Sequence, residues 1–355
     1  MPDFDDPFEF FDELPEDLEA TPLLEDDLPP DHRSGFVAVI GRPNVGKSTL
    51  MNHLLGQKIA IVSPKPQTTR NQLLGILTLP TPDQPELAAT GPPAQIIFMD
   101  TPGIHRPLHK LGEYLVETAL ETIPDADLIL WLVDLTEPPT AEDQLVAATI
   151  GKAQTKLKKQ GEPPIAVLLV LNKIDLLSPA ALALAAAPFL ELLAVLSPTP
   201  VTEANYLFVS ATRGDNHTEL LRQIIHRLPP GPRYFPAEQV TDQQTRFIAA
   251  ELIREAALKV LHQEVPHALA VQVVEFTPRH EQLTYVSANL VLERPSQKGI
   301  VIGEKGQTLK RIGQLARPEI EKLVGTKVYL ELWVKIRPQW RKKDNELRWL
   351  GYSKP

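Results

Sequence analysis

Cysteine is missing from all 355 residues. That excludes disulfides, thiolate metal sites and cysteine nucleophiles, and it suits a reducing cytosol. A long charge-free apolar run is missing too: the best candidate, residues 180–196, contains Pro188 and Glu191. It falls short of a clean bilayer span and is expected to be a buried or amphipathic helix. The amino end is acidic where a signal peptide would place a basic and then an apolar segment, so no signal peptide is expected. Basic side chains are nearly absent from residues 1–35, where 13 Asp and Glu stand against Arg33 alone. With no sustained apolar period, this stretch is expected to be disordered, and the second reading is a sticky acidic segment that binds a partner.

The chain is long enough, and at 43% hydrophobic apolar enough, for two cores. Its net charge of -9 hides an asymmetry, because residues 294–355 carry 15 Lys and Arg against 6 Asp and Glu. A basic end points either to a polyanionic partner or to an ordinary solvated face, and charge alone leaves both open.

An apolar strand at residues 36–40 and a helix start at 49–55 flank Gly41, Arg42, Pro43, Asn44, Val45, Gly46, Lys47 and Ser48, followed by Thr49. This is G-x-x-x-x-G-K-[ST] in the strand–loop–helix context that a phosphate-binding loop requires. Its glycines let backbone N–H groups turn toward phosphate oxygens, Lys47 reaches the β- and γ-phosphates, and the Ser48 hydroxyl suits Mg²⁺.

Further strands are expected at 73–79, 95–100, 128–134, 165–172 and 206–210, with a helix at 219–228. Alternating with helices, they predict an α/β, doubly wound, mostly parallel sheet. Residues 80–94, rich in Pro, Thr and Ala, read as a surface loop insertion. After the breaker Pro229-Pro230-Gly231-Pro232 comes the order α-β-β-α-α-β: a helix at 241–262, strands at 267–277 and 282–293, helices around a glycine loop at 299–323, and a strand at 327–336.

Three short segments sit at the carboxyl ends of expected strands, where open α/β sheets bind ligands. In Asp100-Thr101-Pro102-Gly103 the carboxylate can hold Mg²⁺ through water and the Gly103 N–H can meet a γ-phosphate. In Asn172-Lys173-Ile174-Asp175 the carboxylate of Asp175 can accept from both N1–H and N2–H₂ of guanine, a donor pair adenine lacks, and Lys173 can lay its stem over the base. Ser210-Ala211 can offer a backbone N–H to the guanine O6.

With these motifs the chain resembles the Era GTPases, a guanine-nucleotide domain followed by a type II KH domain, over roughly residues 35–355. The resemblance implies a GTPase (G) domain over 35–230 with the 80–94 insertion, a linker over 231–240, and an α+β KH domain over 241–355 behind the 1–34 extension. It makes Gln67-Thr68-Thr69-Arg70-Asn71 the first switch. There Thr69, with Thr68 as its neighbour, would complete the Mg²⁺ shell beside Ser48 and Asp100. Lys47, Thr69, Asp100 and Gly103 would carry catalysis. Ile104 stands where Ras-like enzymes place a water-orienting glutamine, which implies slow intrinsic hydrolysis with water positioned by backbone or a partner. Asn44 either holds a potassium ion, as in related GTPases, or stabilises the loop turn.

The weak motif Gly303-Glu304-Lys305-Gly306 gains from its setting between helices, since KH folds clamp about four nucleotides with such a loop, and Lys305, Lys310 and Arg311 supply charge for phosphates. Trp333 reads as strand core, while Trp340 and Arg341 are the stacking and phosphate candidates. The family's partner is 16S-type rRNA near its 3′ end during 30S subunit maturation, with GTP or GDP and Mg²⁺ bound. A cytoplasmic monomer is expected, with possible peripheral contact at the inner face of the cell membrane. The alternative is a membrane-associated GTPase that couples the cell cycle or division to its GTP state through the basic C-terminal domain.

Overall fold

The computed structural model describes residues 28–63, 65, 68–80, 90–107, 110–196 and 200–352. The expected 1–34 extension and 80–94 insertion lie mostly outside these residues, and Gln67 wholly so.

Six strands form the first sheet: β1 (Arg33–Ile40), β2 (Leu73–Leu79), β3 (Ala94–Asp100), β4 (Leu128–Asp134), β5 (Ala166–Asn172) and β6 (Tyr206–Phe208). Their order is β2-β3-β1-β4-β5-β6, with only β2 antiparallel to its neighbour. Every residue of β3 and β4 is buried, so both faces of the sheet need a helix layer. On one face Val37, Leu130 and Leu132 meet Leu50 and Leu54 of α1 (Lys47–Leu55) and Leu220 and Ile224 of α5 (His217–Arg227). On the other, Ile40, Trp131 and Val133 meet α2 (Lys110–Thr122), α3 (Ala141–Gln160) and α4 (Pro179–Leu196) through Ala119, Ile150 and Phe189. α3 starts at a capping box, in which Thr140 and Asp143 bond each other's backbone N–H, and stops at Gly161 in the left-handed region.

Two strand ends differ from expectation. β1 starts at Arg33, because residues 33–35 already pair with β3, and β6 stops at Phe208, because Ser210 bridges to Asp215 instead of β5. α4 differs more, being neither buried nor amphipathic. It is long and apolar enough by length and composition to cross a bilayer, yet only Ala186, Phe189 and Leu193 are fully buried.

The second unit comprises α6 (Thr245–Val260), β7 (Ala270–His280), β8 (Leu283–Leu292), α7 (Pro295–Ile302), α8 (Gln307–Val324) and β9 (Lys327–Ile336), the expected α-β-β-α-α-β order, with α9 (Asp344–Trp349) added. β8 is antiparallel to β7 and parallel to β9. The segment expected as a plain linker is fastened down. The Gln95 side chain accepts from the N–H groups of Tyr234 and Phe235 at 2.8 and 3.0 Å, and Ile76 N–H donates to Val240 at 2.8 Å.

Candidate functional site

β1 sits where the chain turns from one side of the sheet to the other, and the loop it feeds closes on the end of β5. Gly46 has φ 105°, and a β-carbon there would lie 2.3 Å from Asn172 Nδ2, so no other residue fits. Asn172 donates to the Val45 carbonyl at 2.7 Å and accepts from Ala211 N–H at 2.9 Å, bracing three loops. Lys47 is buried and donates to the Gly41 and Arg42 carbonyls at 3.0 and 2.9 Å; burial lowers its ammonium to about 8. Ser48 Oγ donates to Asp100 Oδ2 at 2.9 Å and lies 2.9 Å from Thr69 Oγ1. Burial raises the Asp100 carboxyl to about 6 despite Lys47, and its Oδ1 has no partner among the described residues.

Two hydroxyls and a buried carboxylate with an open oxygen are the hard donor set that Mg²⁺ takes, so Ser48, Thr69 and Asp100 fit that ion. When bound, it would neutralise charge on phosphate oxygens. Among the described residues no cluster of three His, Asp or Glu offers a different metal site.

A cleft of about 450 Å³ runs along this edge, lined among others by Pro43, Asn44, Thr49, Thr69 and Gly103 at one end and Lys173, Asp175 and Thr212 at the other. Asp175 accepts from Ser210 Oγ at 2.7 Å, and Lys173 pairs with Asp134, which leaves its stem along the cleft wall. Asn44, at φ 66°, has the left-handed turn conformation that asparagine tolerates.

Several expected contacts are corrected. The Arg42 side chain turns away to Asp143 at 3.1 Å and to Glu137, so only its backbone belongs to the loop. Val45 and Ile104 are fully buried in the core and Pro102 is also buried, while Thr101 Oγ1 is spent on the Val39 carbonyl at 2.8 Å. The N–H groups of Ser210 and Ala211 are taken by Asp215 and Asn172, so neither is open to a base. Asp134 was missed, although it ends β4 on the same edge, and the rule that found its neighbours would have found it.

Behind the 210–216 loop, His217 meets His53 edge-on at 4.4 Å, and burial and then His53 lower it to about 4. The unfolded chain therefore takes up this proton first, and stability is lost as pH falls from 6.5 toward 4. Replacing His217 by Phe should flatten the fall in denaturation midpoint across that window, by up to about 1.4 kcal/mol per pH unit. An unchanged slope would show that His217 is not its source.

In the second unit Gly303 has φ 72°, and a β-carbon there would lie 2.1 Å from Thr308 Oγ1; Lys305 and Gly306 are also left-handed, presenting a tight loop with Glu304 exposed. Beside it a cleft of about 550 Å³ separates α8 from β9, lined by Gly306, Leu309, Lys310, Gly313, Arg317 and Leu332. Arg311 lines a different cavity with His262. Arg317 takes its place on the cleft, seven residues after Lys310 and so on the same helix face, a spacing legible in the sequence.

Trp340 is not a stacking platform. It is fully buried, its Nε1 donates to the Ala268 carbonyl at 3.0 Å, and its ring stacks on Tyr352 at 5.8 Å. Arg341 pairs with Glu293 at 2.5 Å. Trp333, expected in the core, is the exposed one at 53%.

The two units meet through the switch. Arg70 is buried over Trp340 and Tyr352, donating to the Leu269 carbonyl at 2.8 Å, and Arg254 of α6 donates to the Thr68 carbonyl. Leu111 and Leu115 of α2, the helix that follows the Asp100–Gly103 loop, pack with Trp340, Leu347 and Tyr352.

Comparison with known proteins agrees with this layout. The family model "50S ribosome-binding GTPase" matches residues 36–173 and a KH domain model matches 264–341. GTPase Era of Ruminiclostridium cellulolyticum is 43% identical over 91% of this chain and 98% of its own length, and that of Clostridium perfringens is 43% identical over 91% and 99%. Two crystal structures align over 91% of this chain and all of theirs at 38% identity. One is Era in complex with MgGDPNP and nucleotides 1506–1542 of 16S ribosomal RNA (TM-score 0.78), the other a point variant of Aquifex aeolicus Era bound to GDP·AlF₄⁻ (TM-score 0.77). With this identity along nearly its whole length, the chain belongs to the Era family of GTPases.

Proposed function

We propose that this chain is a GTP-hydrolysing switch that grips single-stranded sequence near the 3′ end of small-subunit rRNA while that subunit matures. The observation that carries the coupling is the fastening of the switch to the second unit: Thr68 and Arg70, either side of the Mg²⁺ candidate Thr69, are both held by it. A ligand that reorders Thr69 must therefore disturb those bonds. The related Era structure that holds both MgGDPNP and 16S rRNA nucleotides supports the reading. In hydrolysis Lys47 supplies positive charge to the phosphates. Ile104 lies in the core, so the attacking water is left to backbone groups or a partner.

The test is binding of a short 3′-end rRNA oligonucleotide with a GTP analogue, GDP or no nucleotide. Affinity should be about tenfold higher with the analogue. Gly303→Asp, which collides with Thr308 and sets a carboxylate against phosphates, should nearly abolish binding; Lys310→Glu, in the cleft and free of that collision, should weaken it as well. Binding that ignores the nucleotide would leave two unconnected domains. Potassium held at Asn44 is a further part of the proposal, read by comparing turnover in potassium and in sodium at one ionic strength; equal rates remove it.

A further inference from the structure

Helix α6 carries Glu251, Arg254, Glu255 and Leu258 at i, i+3, i+4 and i+7, the spacing that sets residues on one face of a helix. That face follows the chain from Lys58 into the first switch. Lys58 pairs with Glu255 at 2.8 Å, Lys65 donates to the Leu258 and Leu261 carbonyls at the carboxyl end of the helix, and Arg254 donates to the Thr68 carbonyl. Of these contacts the last lies next to the chemistry. Thr69 lines the nucleotide cleft with Lys47 and Gly103 and holds its hydroxyl 2.9 Å from that of Ser48.

Arg254 is completely buried, and taking a guanidinium out of water is costly even when it is paired. Its Nε donates to Glu251 at 2.8 Å, one amino group is shared between Glu251 and Thr68, and the other has no partner among the described residues. Packing alone does not call for this side chain, since methionine would fill much of the space without that cost. What arginine adds is a rigid planar fork, which grips a carboxylate along one edge and still aims an N–H at a fixed carbonyl.

The bond to Thr68 also sets the residue after it. The peptide between Thr68 and Thr69 is planar and trans, so a carbonyl turned toward Arg254 turns the Thr69 N–H the opposite way. No acceptor takes that N–H among the described residues.

We propose that Arg254 is a positioning residue for GTP hydrolysis: by holding the Thr68 carbonyl, it presents the Thr69 N–H to the terminal phosphate and keeps the Thr69 hydroxyl beside Ser48 and Asp100. The second unit thereby completes the nucleotide site as well as responding to it. The inference rests on Thr69 as the residue that meets the triphosphate, and it is tested without RNA, so its failure is distinct from a failure of the coupling to rRNA. A diphosphate offers nothing at that position. Arg254 should therefore matter for the triphosphate alone.

Arg254→Lys keeps a buried charge for Glu251 but loses the fork. In the full chain with Mg²⁺ it should speed release of a fluorescent GDPNP about tenfold, the size of one hydrogen bond to a charged group, and leave release of the matching GDP within about twofold. Single-turnover hydrolysis of GTP should slow by about tenfold or more. Arg254→Met combined with Glu251→Met, which leaves no buried ion unmatched, should act in the same way. Lys58→Met is the control: it loosens α6 at Glu255, which keeps Lys259 at 2.8 Å, and both release rates should stay within about twofold. In the parent protein, amide exchange at Thr69 should slow with GDPNP and not with GDP. Equal acceleration of GDP and GDPNP release, no change of either in both Arg254 variants, or an effect of Lys58→Met as large as that of Arg254→Lys would each overturn the proposal. So would exchange at Thr69 that ignores the nucleotide, a result that needs no substitution to read.

Discussion

Trp340→Ala should lower the unfolding free energy of the carboxy-terminal unit by roughly 3–5 kcal/mol, the range for deleting a fully buried aromatic. The ring is completely enclosed, and its removal opens a cavity between Tyr352, Leu347 and Leu111 that these neighbours can only partly fill. The Ala268 carbonyl loses its indole donor. The Arg70 guanidinium, 5.7 Å from the Trp340 ring and 2% exposed, loses part of the cage that makes its buried charge tolerable. Trp333→Ala is the matched control: that ring is half exposed on β9, and its loss should cost within about 0.5 kcal/mol. Denaturant unfolding followed through the carboxy-terminal transition separates the two variants. A Trp340→Ala cost near that of Trp333→Ala would mean that the buried cluster does not hold the units together.

The two tryptophans also mark where the sequence stops being informative. Alternation along residues 327–336 tells which side chains share a face of the strand, but not which face is covered. The helices covering one side leave Trp333 on the other. Trp340 sits among cations in the sequence and looks like a stacking residue. What buries it is α2 of the other domain and Tyr352 near the carboxy terminus; α2 lies more than 200 positions away along the chain. The nucleotide edge is local by contrast, and each of its segments ends an apolar run of four to seven residues, so strand and motif could be read together. Even there, type outran role. Asn172 has the expected position, yet its amide is consumed in bracing Val45 and Ala211. Arg42 is drawn off by acids on β4 and α3 that no local pattern ties to it. For α4, composition speaks for burial, but the sheet can cover only one side of a helix.

Asp175→Asn should weaken GTP binding by about two to three orders of magnitude and shift preference toward xanthosine triphosphate. A carboxylate accepts from both N1–H and N2–H₂ of guanine, and hydrogen bonds to a charged group are worth about 1.5–3 kcal/mol each. Losing one of them while turning an N–H donor against the guanine amine costs roughly 3–4 kcal/mol, at 1.4 kcal/mol per tenfold. Xanthine carries an oxo group where guanine carries the amine, so the asparagine amide can donate there and still accept from N1–H. The substitution should leave the fold intact, because Ser210 Oγ, now 2.7 Å from Asp175 Oδ1, can donate equally well to an amide oxygen. Calorimetry with GTP, xanthosine triphosphate and ATP on parent and variant reads the outcome, with ATP weak in both. A parent that holds ATP as firmly as GTP, or a variant that keeps GTP within tenfold, would remove Asp175 from base recognition, and with it the reason to call this cleft a guanine site.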